Sequence, residues 1–145
     1  MNKAFTRQLR DAALLVTKAL PSAASTTVTT DPIDTGVRTA RGIQPDALEV
    51  LLTIPALTTT ILPDTRTATL VIESSDSAGF GSYETLRTIV VTGAGGAGAP
   101  APTELRAPVP LDGKRYYRGK ITFGASTTDG SALSAELALV GGPLC

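Results

Sequence analysis

The sequence has no histidine and no tryptophan, and its single cysteine, Cys145, is the last of 145 residues. Without histidine, Ser-His-Asp and Cys-His catalysis, imidazole metal sites and histidine-based pH switches are excluded. One cysteine cannot form an intrachain disulfide, so the chain is not a disulfide-stapled scaffold. We therefore expect a protein that is not an enzyme and that holds no metal or other cofactor.

The chain also lacks net charge and long hydrophobic runs. Its 13 basic and 13 acidic residues cancel, so no overall field attracts it to nucleic acid or anionic lipid. No apolar run has the length needed to cross a bilayer. The basic start resembles a signal peptide, but Asp11 and Lys18 limit its apolar centre to residues 12–16, which is too short. We expect no nucleic-acid partner, no membrane association and no cleaved leader.

What the chain does have is a series of short segments rich in Thr, Val, Ile and Leu, bounded by Gly, Pro, Asp or Ser. Such segments are typical of β-strands, and no helical pattern separates them, so antiparallel pairing is expected. This pattern predicts a mainly β protein, an antiparallel β-sandwich or jelly-roll-like single domain over residues 25–145. The predicted strands are 46–54, 67–73, 85–92, 104–109, 115–123 and 133–140, with a further short one at 28–30.

Residues 115–123 alternate most clearly between apolar and polar side chains. The period of two predicts one packed face with Tyr117 and Phe123, and one wet face with Tyr116, Arg118 and Lys120. The wet face includes cations interleaved with an aromatic side chain, as in single-stranded nucleic-acid sites. Its alternation favours a solvated or subunit-facing strand instead.

The next strand, 133–140, also has an apolar face, and Asp129 with Gly130 provides turn chemistry before it. We therefore predict that 115–123 and 133–140 form a hairpin with a long loop. The continuous apolar run 89–91 predicts a strand covered on both sides, either within the sandwich or by a partner subunit.

Residues 1–24 are predicted to form an N-terminal arm or a short amphipathic helix. Apolar residues recur there at three- and four-residue steps until Pro21 ends the pattern, at Phe5, Leu9, Ala13, Val16 and Leu20. Two alternatives stay open. The segment either packs on the core of its own domain or reaches a neighbouring subunit.

Two further patterns are interpreted as structural. Residues 93–98 spell the dinucleotide-binding pattern G-x-G-x-x-G, but Pro100 and Pro102 follow where a helix should begin. The segment 93–102 is therefore interpreted as a flexible surface loop. The aspartates lie beside Pro, Ser, Gly or Thr, so we expect them to bind nearby backbone amides in turns; they include Asp31, Asp34, Asp64, Asp76 and Asp129.

Three short motifs resemble the capsid decoration, or cement, proteins of tailed bacteriophages. The first, ST-x-V-x-x-x-x-ID-x-G, covers residues 25–36, and the second, E/Q-S-S-D, covers 73–76. The third, L-x-G-x-RY-x-R, covers 111–118 and is followed by L-S-A-x-L at 133–137. Together they extend the resemblance over most of residues 15–140.

The resemblance implies a jelly-roll-like domain that forms a small symmetric oligomer, a dimer or a trimer. It also implies binding to the major capsid protein on the outside of the virion, after synthesis in the bacterial host cytoplasm. The residues expected at capsid or subunit interfaces, besides the 93–102 loop, are Phe5, Leu9, Val16, Tyr116, Arg118 and Lys120. The alternative is a β-sandwich module that binds carbohydrate or peptide. Six aromatic residues, none of them tryptophan, make a sugar site less favourable.

Overall fold

The computed structural model describes residues 10–35, 48–109 and 114–141. Within these ranges the chain forms nine β-strands and no helix. The strands are β1 (Arg10–Ala19), β2 (Thr27–Thr29), β3 (Ile33–Asp34), β4 (Leu48–Ile54), β5 (Thr67–Ser75), β6 (Glu84–Thr92), β7 (Thr103–Pro108), β8 (Tyr116–Phe123) and β9 (Ser134–Gly141). The strands predicted from 28 onward are confirmed, with ends displaced by one or two residues. Residues 46 and 47, where the strand 46–54 was predicted to begin, lie outside the described residues.

The strands form two antiparallel sheets that pack face to face. Sheet 1 has the order β1-β9-β4-β7, and sheet 2 has the order β2-β8-β5-β6, with β3 also pairing with β8. The predicted antiparallel β-sandwich is therefore confirmed. The core between the sheets consists of the inward side chains, as period-two alternation requires.

Strand β8 shows how the alternation builds this core. Tyr117, Ile121 and Phe123 are fully buried, which confirms the packed face predicted for this strand. Gly119 lies between them, and a Cβ at this position would stand 2.7 Å from Cδ1 of Leu52 in β4. The glycine therefore leaves space for Leu52 to pack across the sandwich. Each large side chain buried in this way stabilises the fold by roughly 1.5–3 kcal/mol.

The hairpin predicted between 115–123 and 133–140 is wrong. Strand β8 pairs with β2, β3 and β5 in sheet 2, whereas β9 pairs with β1 and β4 in sheet 1. The connection 124–133 is long enough to cross the roughly 10 Å between sheets. The turn at Asp129 does form, since its Oδ1 accepts a hydrogen bond from Ser131 N at 2.8 Å. This turn lies near the end of the connection that runs from β8 in sheet 2 to β9 in sheet 1.

The short helix predicted at the N-terminus is wrong for Arg10–Ala19, which is strand β1 and pairs with β9. Val16 and Leu20 both turn toward the core, where Leu20 is buried and Val16 is half-buried. Their spacing of four residues suits one helical turn and equally two repeats of a strand. The spacing of the apolar residues therefore does not distinguish a helix from a strand, and the pairing with β9 makes this segment a strand. Phe5 and Leu9 lie outside the described residues.

Strand β6 lies at the edge of sheet 2. Ile89 and Val91 are half-buried against the core, but Val90 is 55% exposed. The sandwich itself therefore does not provide the two-sided cover predicted for residues 89–91.

Candidate functional site on the outer face of sheet 2

The outward side chains of β8 lie in the middle of sheet 2. The register places Arg118 opposite Glu73 of β5, and Tyr116 between Ser75 of β5 and Asp34 of β3. Directly opposite side chains on one face of a sheet are close enough to interact. The sheet therefore brings together segments that are far apart in the sequence.

Glu73 is the centre of this face, with only 1% of its surface exposed. Its Oε2 accepts a hydrogen bond from Arg118 Nε at 2.7 Å, and its Oε1 lies 3.4 Å from Lys120 Nζ. A carboxylate buried without partners would cost several kcal/mol. The two cations of β8 are therefore what allows the charged Glu73 to remain inside the fold.

Residues 76–83, which connect β5 to β6 and are called the covering loop below, fold over this ion pair. The Arg118 guanidinium carbon lies 4.2 Å from the ring centroid of Phe80 and 5.3 Å from that of Tyr83. Phe80 is buried, whereas Tyr83 is 49% exposed. The face predicted to be wet is thus covered at Arg118, because a cation stacks favourably on aromatic rings.

Short-range hydrogen bonds hold the covering loop in place. Ser75 Oγ donates to Ser82 O at 2.5 Å and accepts from Ser77 N at 3.1 Å. Phe80 has a positive φ of 51°, a conformation that costs a non-glycine residue energy. Stacking on Arg118 offsets this strain and fixes the side chain over the face.

Two further ion pairs border the face. Arg115 binds Asp34 with two hydrogen bonds, Nε to Oδ1 at 2.6 Å and a terminal nitrogen to Oδ2 at 2.8 Å. Lys114 Nζ lies 2.8 Å from Asp76 Oδ2. These hydrogen bonds raise the pKa of Arg115 and of Lys114 above their ordinary values. The sequence analysis expects Asp34 and Asp76 to bind backbone amides of nearby turns and does not foresee these ion pairs.

The basic strip of the sequence is therefore largely neutralised within the fold. Lys114, Arg115, Arg118 and Lys120 each have a carboxylate partner, from the set Asp34, Glu73 and Asp76. A surface that attracts nucleic acid needs uncompensated cations. What this surface presents outward is the exposed Tyr83 ring and the half-buried Tyr116, with Arg115 5.2 Å from the Tyr116 ring centroid.

The other predicted interface residue with a described side chain lies elsewhere. Val16 is in β1 of sheet 1, where it packs against the sandwich's own core. The structure thus groups Tyr116, Arg118 and Lys120 and leaves Val16 apart from them. Sequence reasoning did not single out Phe80 or Tyr83, and it named Glu73 only as part of the E/Q-S-S-D motif, not as a site residue. The available signal was Glu73 itself, a charged residue directly after the alternating apolar positions 68, 70 and 72.

The glycine-rich segment 93–102 is a turn held by several hydrogen bonds, so its interpretation as a flexible loop is wrong. Gly93 N donates to Arg66 O at 2.8 Å, and Gly95 N donates to Asp64 Oδ1 at 2.8 Å. Ala99 and Leu57 exchange two backbone hydrogen bonds of 2.8 Å. Strand β7 follows the turn, so this segment does not begin a helix as a dinucleotide site would require.

Within residues 10–35, 48–109 and 114–141, no three His, Cys, Asp or Glu side chains cluster in a way that could hold a metal ion. In the same part of the chain, no helix has the length and apolar character to cross a membrane. No protein-family model matches the chain, and no curated protein sequence matches it significantly.

Proposed function

We propose that this chain is a structural protein that binds the outer surface of an icosahedral phage capsid and stabilises it. One observation carries the proposal. Residues of three motifs that resemble decoration proteins meet at one place, since Asp34 binds Arg115 and Glu73 binds Arg118. Asp76 of the second motif binds Lys114, which stands at an unspecified position of the third. The L-S-A-x-L segment lies apart, mostly in β9 of sheet 1. When residues from separate motifs lie together in the fold, a shared functional surface explains the likeness better than chance similarity between strand sequences.

The convergent cluster suits protein binding. Ion pairs and the covering loop fix the backbone beneath Tyr83 and Tyr116, so little conformational entropy is lost when a partner docks. Tyrosine and arginine are enriched at protein interfaces and among the residues that dominate binding energy. The partner proposed for this surface is the major capsid protein.

The strand order also supports the jelly-roll expectation. If β2 and β3 are counted as one strand, each sheet has four strands. In sheet 1, β1 pairs with β9 and β4 pairs with β7. Every connection from β4 to β9 except β5–β6 passes from one sheet to the other. Such repeated crossing is typical of an eight-stranded double Greek key.

Stabilisation follows from simultaneous contact with neighbouring capsid subunits. A ligand that binds only the assembled shell lowers its free energy relative to separated subunits. A small symmetric oligomer would make several such contacts, and effective concentration makes the later contacts much stronger than a single one. Tight attachment therefore does not require one large binding site.

The test is binding to empty shells of the capsid protein encoded beside this chain's gene. We expect the wild-type protein to co-sediment with the shells and the Tyr83→Ala, Tyr116→Ala double variant to bind at least about tenfold more weakly. Leu15→Ala is a matched control, because Leu15 is an exposed large side chain on the other sheet. Failure of the wild-type protein to bind, or equal loss in the control, would contradict the proposal.

A carbohydrate-binding module is the second candidate, favoured by the exposure of Tyr83 beside Arg118. Sugars stack on exposed aromatic rings of this kind. Titration of a glycan panel, followed by tyrosine fluorescence, separates the two candidates. Saturable binding that Tyr83→Ala abolishes would favour the module, and no binding would leave the capsid proposal as the better account.

A further inference from the structure

Strand β6 is the least protected sheet edge among the described residues. Edge strands normally avoid self-association by being short, bulged, charged or interrupted by proline. Three edges use these devices: β1 has a register shift, β2 and β3 have three and two residues, and β7 ends on Pro108 and carries Glu104 and Arg106. By contrast, β6 has nine residues without proline or glycine. Its register shift, between Thr85 and Arg87, and its charged residues Glu84 and Arg87 all lie before residue 88. The stretch 88–92 therefore has none of these protective devices.

The backbone of β6 offers a regular set of hydrogen-bonding groups on its outer side. Gly93 N donates to Arg66 O, so Arg66 and Gly93 form a hydrogen-bonded pair at the end of the β5–β6 ladder. The next pair, Thr67 with Thr92, is then one without mutual hydrogen bonds, because the two kinds of pair alternate. Because the two kinds of pair alternate along antiparallel strands, Val90 and Thr88 are also in pairs of this kind. The N–H and C=O groups of Thr88, Val90 and Thr92 therefore point away from β5.

The three central side chains of this stretch, at 89–91, are apolar and lie on both faces of the sheet. Val90 lies opposite Thr69 on the outer face of sheet 2 and is 55% exposed. Ile89 and Val91 face the core but are only half-buried at the open side of the sandwich. The sequence 88–92, Thr-Ile-Val-Val-Thr, reads nearly the same in both directions.

We propose that β6 pairs antiparallel with β6 of a second copy of this chain, about a two-fold axis at Val90. Val90 then faces its own copy, Ile89 faces Val91, and Thr88 faces Thr92. Thr88, Val90 and Thr92 have the outward N–H and C=O groups. In this register Val90 therefore exchanges two hydrogen bonds with Val90 of the second copy, and Thr88 exchanges two with Thr92 of the second copy. An isologous contact requires this kind of self-complementary surface.

Charge favours this register over the alternatives. The charged residues of β6 are Glu84 and Arg87, and both lie outside the 88–92 overlap. A two-fold axis at Arg87 would place like charges opposite each other, which is destabilising. The Val90 register instead places β-branched side chains in contact on both faces, and it joins the second sheets of two copies into one continuous sheet.

The expected dimer is weak. Five paired residues extend over about 17 Å, and the contact is smaller than the roughly 800 Å² per partner of a standard interface. We therefore expect a dissociation constant on the order of 0.1 mM in free solution.

Sedimentation equilibrium up to about 1 mM protein measures this association directly. Val90→Lys places two ammonium groups across the axis and is expected to weaken the dimer at least about tenfold. The control Thr17→Lys adds the same charge to the exposed side of edge strand β1 and should leave the dimer unchanged. Circular dichroism of both variants checks that they fold.

A cysteine at position 90 gives a second, geometric test. In a hydrogen-bonded antiparallel pair the two Cα atoms are about 5.5 Å apart, within the roughly 4.4–6.8 Å that a disulfide bridges. In a Cys145→Ser background, Val90→Cys should form a disulfide dimer under mild oxidation, and Thr85→Cys should not. A wild-type monomer at every concentration, or equal cross-linking of both variants, would overturn the proposal.

Self-association through β6 uses none of the residues in the ion-paired cluster of β8. The two proposals therefore fail separately. Shell binding without a β6 dimer contradicts only this one, and a β6 dimer without shell binding contradicts only the proposed function.

Discussion

At the scale of single residues, Glu73 explains most of the organisation of the outer face. Burial removes the hydration of a carboxylate, and ion pairs to Arg118 and Lys120, two residues apart on β8, offset that loss at Glu73. Arg118 has a second role, because its guanidinium also supports Phe80 of the covering loop. One side chain thus links ion pairing in the sheet to the position of the exposed Tyr83.

We predict that Arg118→Ala lowers the free energy of unfolding by about 2–3 kcal/mol. Glu73 would be left buried with only the more distant Lys120, and Phe80 would lose its support. Urea unfolding measures the change. The double variant Glu73→Gln, Arg118→Met should be less destabilised than Arg118→Ala, since it leaves no buried charge unpaired. Arg118→Ala within about 0.5 kcal/mol of wild type would contradict the role assigned to Glu73.

Asp129 gives a prediction in acid. The hydrogen bonds from the Ser131 side chain and backbone lower its pKa below the ordinary value of 3.8. A depressed folded-state pKa contributes stability that is present above 3.8 and lost as pH falls through the folded-state value. The difference in unfolding free energy between wild type and Asp129→Asn should therefore shrink as pH falls below 3.8. A difference that is constant from neutral pH into acid would exclude this contribution.

At the scale of elements, the sequence predicts strands well because alternation reports burial on each strand separately. It predicts their partners poorly, since pairing is decided by contacts between distant segments. Strand β8 was correctly divided into two faces, yet its predicted partner β9 belongs to the other sheet. The pairing of Glu73 with Arg118 was likewise hidden, because it depends on the register between β5 and β8.

The turn at 93–98 is the element where glycine is required most clearly. Gly98 has a φ of 63°, and a Cβ there would lie 2.4 Å from Leu57 O. Gly98→Ala should therefore destabilise the protein by about 2 kcal/mol or more, from backbone strain and the close contact. Gly95→Ala is the matched control, because its Cβ would meet only Asp64 Oδ1 at 4.0 Å. Thermal unfolding compares the two, and equal melting temperatures would contradict a turn held in this conformation.

At the scale of the whole molecule, the sandwich presents two surfaces of different character. The outer face of sheet 2 is an ordered, nearly neutral surface with exposed tyrosine, and the β6 edge is a backbone surface open to a further strand. We infer that the first binds a repeated protein surface and that the second joins copies of the chain. Pairing two copies doubles the number of faces available to one shell.

The most direct test of the central claim is calorimetric melting of empty shells with and without the protein. Because a ligand of the assembled shell stabilises it by mass action, saturating wild-type protein should raise the shell melting temperature, and the Tyr83→Ala, Tyr116→Ala variant should not. An unchanged shell melting temperature at saturating wild-type protein would contradict the account.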